Sequence, residues 1–303
     1  SVADDVLIKG VTMRGRFYDT ERDFTNPDAV NITLENIVVD HLSKPINFTP
    51  EKTGAGGEVR LYLFNLNSVR AGNGASNNAE NDPSFGETYA DTFTAKNVRV
   101  ENMISDDATR NRVVNEYTPA VTTFDGLYIN HNMAGKTAIN NWNYGKARSN
   151  NKNYQFILKN SNIRNYNGGT NFWKFEARNE DQIESGKTFE IIFENNVLYD
   201  VFGTGTSYTL GWYPWRTTKL HINGNYMYSQ DSFSGAFLST QAQDASIKWA
   251  EIDWGETVDI SAKDNTIIGS ASLNGMNVAN SNNGNSATLI DRTGNYYAPY
   301  TED

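Results

Sequence analysis

Apolar and polar residues alternate with a period of two along much of the chain, which is the pattern of β-strands whose two faces meet different surroundings. A recurring unit has the form apolar-x-apolar-x-Asn followed by two or three more apolar positions, as in residues 32–39, 93–100 and 156–163. Asparagine tolerates the left-handed backbone of a tight turn, so each unit is predicted to be two short strands broken at the Asn. No segment shows the periodicity of an amphipathic helix, and the pattern therefore predicts an all-β chain.

The unit returns at intervals of 26 to 40 residues, which is the spacing of stacked structural repeats. This spacing predicts a solenoid of about ten coils that forms one domain over residues 1–303. A β-sandwich is the alternative, but two-residue Asn-Gly hairpin signals are scarce and the Asn keeps one position in the unit. In a solenoid, the turn Asn residues of successive coils are expected to stack about 4.8 Å apart in an amide ladder. The fifth position of the unit falls at residues 10, 36, 65, 97, 131, 160, 195, 224, 264 and 293.

These units, most clearly the segment around Asn160, resemble the pectate-lyase-like superfamily of right-handed parallel β-helices. The resemblance implies three strands per coil, with Phe156–Leu158 as a second strand, Asn160 as the short turn and Ile163 at the start of the third strand. The Asn-rich, aromatic-rich style is also similar to secreted and surface β-helix domains of Bacteroidetes that are linked to glycan use. That likeness implies an extracellular, cell-surface or periplasmic location. First strands are expected after the variable loops, at Pro45–Thr49, Ala120–Asp125, Phe172–Arg178, Tyr208–Tyr213, Ala236–Gln241 and Met276–Ala279.

Composition excludes several kinds of partner and site. A formal net charge of −10 repels phosphate backbones, so we expect no nucleic-acid partner. The absence of cysteine excludes disulfides and thiolate metal sites. No apolar run is long enough to span a membrane, and no leader-like segment begins at Ser1, so an exported chain would already have lost its signal. No capping helix precedes Val6, which leaves two alternatives: the chain is part of a longer protein, or a loop such as 17–28 folds back as a cap.

A row of charged residues is the first candidate for chemistry. In the segment 173–178, alternation turns the apolar positions inward and leaves Lys174, Glu176 and Arg178 outward in one row. Arg216 follows the corresponding strand of the next coil. The family resemblance implies chemistry on the outer face of the first strand, where a uronate lyase needs a base and a cation that stabilises the developing negative charge. These four residues are therefore the candidate catalytic set, and the alternative is a solvated charged strand face.

Aromatic residues near this row are candidate carbohydrate-binding groups. The run Trp-Tyr-Pro-Trp at 212–215 is open to two interpretations, a platform for sugar rings or core packing at the base of a loop. The irregular segment 240–257 carries two further tryptophans, and such insertions often form the binding rim of a solenoid. The candidate residues are Tyr213, Trp215, Trp249 and Trp254.

Asp106 and Asp107 are a paired-acid motif in a polar segment. Paired carboxylates can bind Ca²⁺, the one cofactor that the sequence suggests, or act as the acid and base of a glycoside hydrolase. In the polygalacturonase branch of this fold, hydrolysis uses clustered Asp residues on successive coils; no matching set lies on the expected first-strand face, so elimination is favoured over hydrolysis. The Arg-x-Pro-x-x-Arg signature of lyases is absent as well, and the three histidines form no zinc-type pair. His131 is interpreted as a turn residue.

Together these features predict an exported β-helix protein that contacts polysaccharide, with catalysis left open. One alternative is a polysaccharide lyase acting on a glycan that contains uronic acid. Another is a structural or adhesive surface solenoid with no small ligand. The sequence does not distinguish a monomer from an oligomer.

Overall fold

The computed structural model describes residues 5–13, 31–40, 60–66, 92–101, 110–116, 121–142, 153–176, 189–199, 208–213, 218–228, 236–240, 259–269, 279–280, 289–291, 293–299 and 301. These residues form strands and turns, and none of them is helical. The prediction of an all-β chain is confirmed over this part of the sequence. The strands are β1 (Asp5–Lys9), β2 (Thr12–Met13), β3 (Asn31–Asp40), β4 (Arg60–Leu66), β5 (Thr92–Glu101), β6 (Arg110–Glu116), β7 (Val121–Asp125), β8 (Tyr128–Trp142), β9 (Tyr154–Lys159), β10 (Asn162–Glu176), β11 (Phe189–Glu194), β12 (Val197–Tyr199), β13 (Tyr208–Tyr213), β14 (Thr218–Asn223), β15 (Tyr226–Tyr228), β16 (Ala236–Thr240), β17 (Asp259–Ser261), β18 (Thr266–Gly269), β19 (Ala279–Asn280), β20 (Leu289–Asp291) and β21 (Tyr296–Pro299).

Every pairing among these strands is parallel, and the pairings form three stacks. Stack A joins β1, the first halves of β3 and β5, and β7, β9, β11, β14, β17 and β20. Stack B joins β2, the second halves of β3 and β5, the beginnings of β8 and β10, and β12, β15, β18 and β21. Stack C joins β4, β6, the ends of β8 and β10, and β13, β16 and β19.

The chain visits the stacks in a fixed order, from A through a tight turn to B, then C, then A of the next coil. β9, β10 and β11 show one full cycle, because β9 and β11 pair with each other in stack A and β10 supplies both B and C. Each strand therefore pairs with its counterpart one coil away and not with its neighbour in sequence. This arrangement is a long parallel sheet that is consistent with a β-solenoid.

The turn from stack A to stack B is built on a left-handed backbone. Its residue has a positive φ at Gly10, Asn36, Asn97, Gly126, Asn160, Asn195, Gly224, Asp264 and Gly294. Seven of the predicted turn positions are confirmed, and the one predicted at residue 293 lies one residue later.

Two predicted turns are wrong. Asn65 lies inside β4, which pairs with β6 in stack C, so that copy of the repeat was a coincidence of the strand pattern. His131 lies inside β8, five residues after the real turn at Gly126. The prediction that Ala120–Asp125 is a first strand is wrong for the same reason. This segment contains β7, which pairs with β5 and β9 in stack A. The cause is Thr122, a polar residue that is fully buried at an inward position and so breaks the apolar pattern.

The other expected first strands fall as follows. Tyr208–Tyr213 is β13 of stack C, with the predicted bounds. Phe172–Arg178 corresponds to the end of β10 as far as Glu176, and Ala236–Gln241 to β16. Of Met276–Ala279 only Ala279 lies among the described residues, and it begins β19 of stack C; Pro45–Thr49 lies outside the described residues.

The interior of stack A interlocks because large and small residues alternate between coils. Phe93 stands in register with Thr122, and Ala95 with Phe124, so each ring lies beside a smaller side chain of the next coil. The ring of Phe124 lies 5.8 Å from that of Phe93 and 5.9 Å from that of Phe156, and all three are fully buried. Tilted contacts at this distance are favourable, and the alternation fills the core without crowding it.

A ladder of asparagine amides, buried at its first three members, lies one residue after the turn, and not at the turn residue as predicted. Nδ2 of Asn196, Asn225 and Asn265 donates to Oδ1 of the next member at 3.0 Å, and Nδ2 of all four members also donates to a backbone carbonyl of the preceding coil at 2.7–2.9 Å. The positive-φ residue points its side chain outward and the following residue points inward, which explains the shift. At the turn itself, the amide of Asn97 donates to Asn36 at 3.1 Å, and both side chains are exposed. The ladder consists of Asn196, Asn225, Asn265 and Asn295.

Candidate functional site

The predicted charged row begins on stack C. Lys174 and Glu176 lie two residues apart near the end of β10. β10 pairs with β13 so that Lys174 is in register with Gly211 and Glu176 with Tyr213. The backbone therefore brings three of the predicted site residues onto adjacent coils of one stack. Their roles remain predictions.

The remaining predicted site residues lie outside the described residues. They are Arg178, Arg216, Trp215, Trp249, Trp254, Asp106 and Asp107. Within the described part of the chain, no group of three or more His, Asp or Glu residues is arranged to hold a metal ion. No helix in that part is long and apolar enough to cross a membrane.

Stack B presents a second outer surface, which the sequence analysis did not predict. We call it the B face: the outward residues of β8, β10, β12, β15, β18 and β21 from Tyr128 to Ala298. None of its members is a carboxylate, in a chain that has 36 acidic residues. The signal was present in the sequence, because tyrosine recurs one or three residues after the ladder position, as in Asn225-Tyr-Met-Tyr228. The members are Tyr128, Asn130, Asn162, Arg164, Val197, Tyr199, Tyr226, Tyr228, Thr266, Ile268, Tyr296 and Ala298.

One row of the B face is a continuous stack of flat groups. The guanidinium of Arg164 lies over the ring of Tyr199, with Cζ 5.6 Å from the ring centroid. The ring of Tyr199 in turn stacks on that of Tyr228, with centroids 4.6 Å apart and planes inclined by 14°. Arg164 Nε donates to Asn162 Oδ1 at 2.9 Å, which fixes the plane of the guanidinium. No carboxylate of the described residues pairs with Arg164.

The second row of the B face carries two open tyrosine rings. Tyr226 is 41% exposed and Tyr296 is 59% exposed. Thr266 lies between them in register, so the two rings are two coils apart. Neither ring stacks on an aromatic side chain among the described residues, in contrast to Tyr199 and Tyr228.

The outer face of stack A has a different character, because opposite charges alternate along one row. Lys9 Nζ lies 2.9 Å from Glu35 Oε1, and the hydrogen bond from Lys9, together with the charges of Lys9 and Lys96, lowers the pKa of Glu35 against the opposing effect of desolvation. Exposed pairs of this kind contribute little stability each, but a strict alternation penalises any shift of register between coils. The row runs Lys9, Glu35, Lys96, Asp125, Lys159 and Glu194.

Glu190 links three coils farther along stack A. Its Oε2 accepts a hydrogen bond from Gln155 Nε2 at 2.6 Å, and its Oε1 lies 3.5 Å from His221 Nε2. Both contacts run across the strands of stack A and so tie adjacent strands together.

Comparison with known proteins finds no matching family model, no matching curated protein and no matching solved structure. Function is therefore inferred from the surfaces of this chain.

Proposed function

We propose that this chain is a right-handed parallel β-helix of about ten coils, similar to the pectate-lyase-like superfamily, and that it contacts a polysaccharide outside the cell. The fixed A–B–C order and the parallel pairing of counterpart strands support the solenoid. Asparagine at left-handed turns and a buried amide ladder support the same architecture. The proposal treats the chain as one domain.

The observation that carries the functional proposal is the register of β10 with β13. It places Glu176 beside Tyr213 and Lys174 beside Gly211 on neighbouring coils. Neighbouring strands of a sheet are about 4.8 Å apart, so groups from two coils can reach adjacent parts of one sugar chain. A cation and an aromatic ring in such proximity suit an acidic sugar, because the first meets the carboxylate and the second the apolar face of the ring.

Binding to a panel of polysaccharides, measured by calorimetry, tests this proposal. We expect wild-type protein to bind at least one acidic glycan, and the Lys174→Ala and Tyr213→Ala variants to bind it more weakly. Lys96→Ala is the matched control, since Lys96 is an exposed lysine on the outer face of stack A. If no polysaccharide binds, the protein is a structural or adhesive solenoid and the proposal is wrong.

The same samples decide between binding and catalysis. A lyase releases an unsaturated product that absorbs in the ultraviolet, and its formation should then depend on Lys174, Arg178 and Arg216. Affinity without product identifies a non-catalytic module, in which Trp215→Ala, Trp249→Ala and Trp254→Ala are expected to weaken binding. Repeating the assay with a chelator tests whether Ca²⁺ at Asp106 and Asp107 is required.

A further inference from the structure

We infer that the B face is a second binding surface, which holds an extended anionic glycan along the solenoid axis. Its ligand class rests on the proposed function, but its residues and its face of the solenoid are different. The surface consists of two open platforms, Tyr226 and Tyr296, and one cationic anchor, Arg164.

The spacing of these groups favours a linear polymer of rings. Tyr226 and Tyr296 lie two coils apart in one row, and Arg164 lies two coils before Tyr226 in the neighbouring row. Two coils span about 9.6 Å at the usual strand separation. A polysaccharide extended along the axis repeats on this scale for each pair of sugar units, so alternate units can meet equivalent protein groups.

The open rings are the ones that can take a sugar. A sugar stacks by laying its apolar face on an aromatic ring, which requires a ring face that is not already covered. Tyr199 and Tyr228 cover each other, and Arg164 lies over the remaining face of Tyr199. Tyr226 and Tyr296 are exposed and stack on no aromatic ring among the described residues, so they offer ring faces that Tyr199 does not.

The charge of the B face favours an anionic ligand. Arg164 is held in a fixed plane by Asn162 and Tyr199, and its terminal nitrogens have no carboxylate partner among the described residues. A planar, oriented guanidinium is suited to a carboxylate or a sulfate group. No acidic residue lies on the B face between Tyr128 and Ala298, so no carboxylate of that face competes with a bound anion for Arg164.

The B face has the shape of a strip along the stack. From Tyr128 to Tyr296 it crosses five strand intervals, or about 24 Å. A single polymer chain fits the strip along its length.

Calorimetric titration with three glycans tests the inference: alginate as a polyuronate, chondroitin sulfate as a sulfated chain, and an uncharged β-glucan. We expect the Tyr226→Ala/Tyr296→Ala double variant to lose about tenfold or more in affinity for whichever anionic glycan binds. Tyr226→Phe should bind like wild type, since it keeps the ring. Arg164→Gln should weaken the anionic glycan and reduce the salt dependence of its binding, and leave any binding of β-glucan unchanged.

Leu7→Ala is the control for substitution at an exposed apolar residue elsewhere, because Leu7 is 62% exposed on β1. Circular dichroism must show that the double variant is folded; if it is not, the Tyr226→Phe and Arg164→Gln variants carry the test.

The inference is wrong if wild type binds a glycan and neither the double variant nor Arg164→Gln changes that affinity; the proposed function then stands. Loss in the double variant but not in Lys174→Ala supports the B face and contradicts the stack C site. Failure of wild type to bind any glycan overturns both, and equal affinity for single-stranded DNA overturns the assignment to glycan.

Discussion

Asn195 and Asn196 are adjacent residues of one type whose replacement should have very different effects. Asn196 is fully buried, and its Oδ1 accepts the backbone N–H of Ser161 at 3.0 Å. Its Nδ2 donates to the carbonyl of Leu158 at 2.9 Å and to Oδ1 of Asn225 at 3.0 Å. Asn195 has a φ of 55° and an exposed side chain.

The magnitudes follow from what each substitution leaves behind. Asn196→Ala deprives Ser161 N–H and the Leu158 carbonyl of these partners in the dry interior, and each orphaned group costs about 1–3 kcal/mol. The variant should therefore be about 2–6 kcal/mol less stable than wild type. Asn195→Gly keeps the left-handed turn, which glycine adopts without strain, so its stability should lie within about 0.5 kcal/mol of wild type.

Urea unfolding followed by circular dichroism measures the two free energies, and hydrogen exchange at the Ser161 amide reports the lost bond directly. We expect faster exchange at Ser161 in Asn196→Ala and unchanged exchange in Asn195→Gly. Equal stability of the two variants, or unchanged protection of Ser161 in Asn196→Ala, would refute the reasoning that the inward amide holds the coils together.

Three further changes test other parts of the fold. Gly224→Ala should destabilise, because φ is +64° and an added Cβ would collide with Oδ1 of Asn195; the double variant with Asn195→Gly should recover part of the loss in urea unfolding. Phe124→Ala should cost about 3–5 kcal/mol, since it empties a fully buried ring position, and the same assay measures it. Lys9→Met should raise the pKa of Glu35 in an NMR titration; because that pKa is lowered in the folded state, the pair's contribution is present above the unfolded pKa and is lost as pH falls through the folded pKa.

The sequence predicts the fold well where the inward positions are apolar and the turn is asparagine. Ile32, Leu34 and Asn36 fit the repeat, and the structure places them as expected in β3 and its turn. The prediction fails at β7 because Thr122 occupies a buried position beside two large rings, where a small residue is needed and its hydroxyl is no obstacle. The pattern of apolar residues within one strand does not show how large a side chain the neighbouring coil leaves room for.

The ladder was misplaced for a related reason. Asn stands both at the position after the turn, as Asn196, and at the turn itself, as Asn195, and the turn position also accepts glycine and aspartate, as at Gly224 and Asp264. Its requirement is for a left-handed backbone, which several residue types meet. The inward amides follow at Asn225 and Asn265, where the requirement is for two donors and an acceptor, and asparagine meets it. The sequence pattern alone therefore does not separate an Asn suited to the left-handed turn from an Asn suited to the inward hydrogen bonds.

The ladder and the B face are joined by the chain itself. Tyr226 directly follows Asn225, and Tyr296 directly follows Asn295, so each open ring lies one residue from a hydrogen-bonded amide of the ladder. The backbone N–H of Tyr226 donates to the Asn196 carbonyl at 2.8 Å, and that of Tyr296 to the Asn265 carbonyl at the same distance. A buried and fully bonded amide resists displacement, because moving it breaks several hydrogen bonds at once. The same bonds that fix the separation of the coils therefore fix the separation of the two platforms, which is the geometric condition for binding a polymer with a regular repeat.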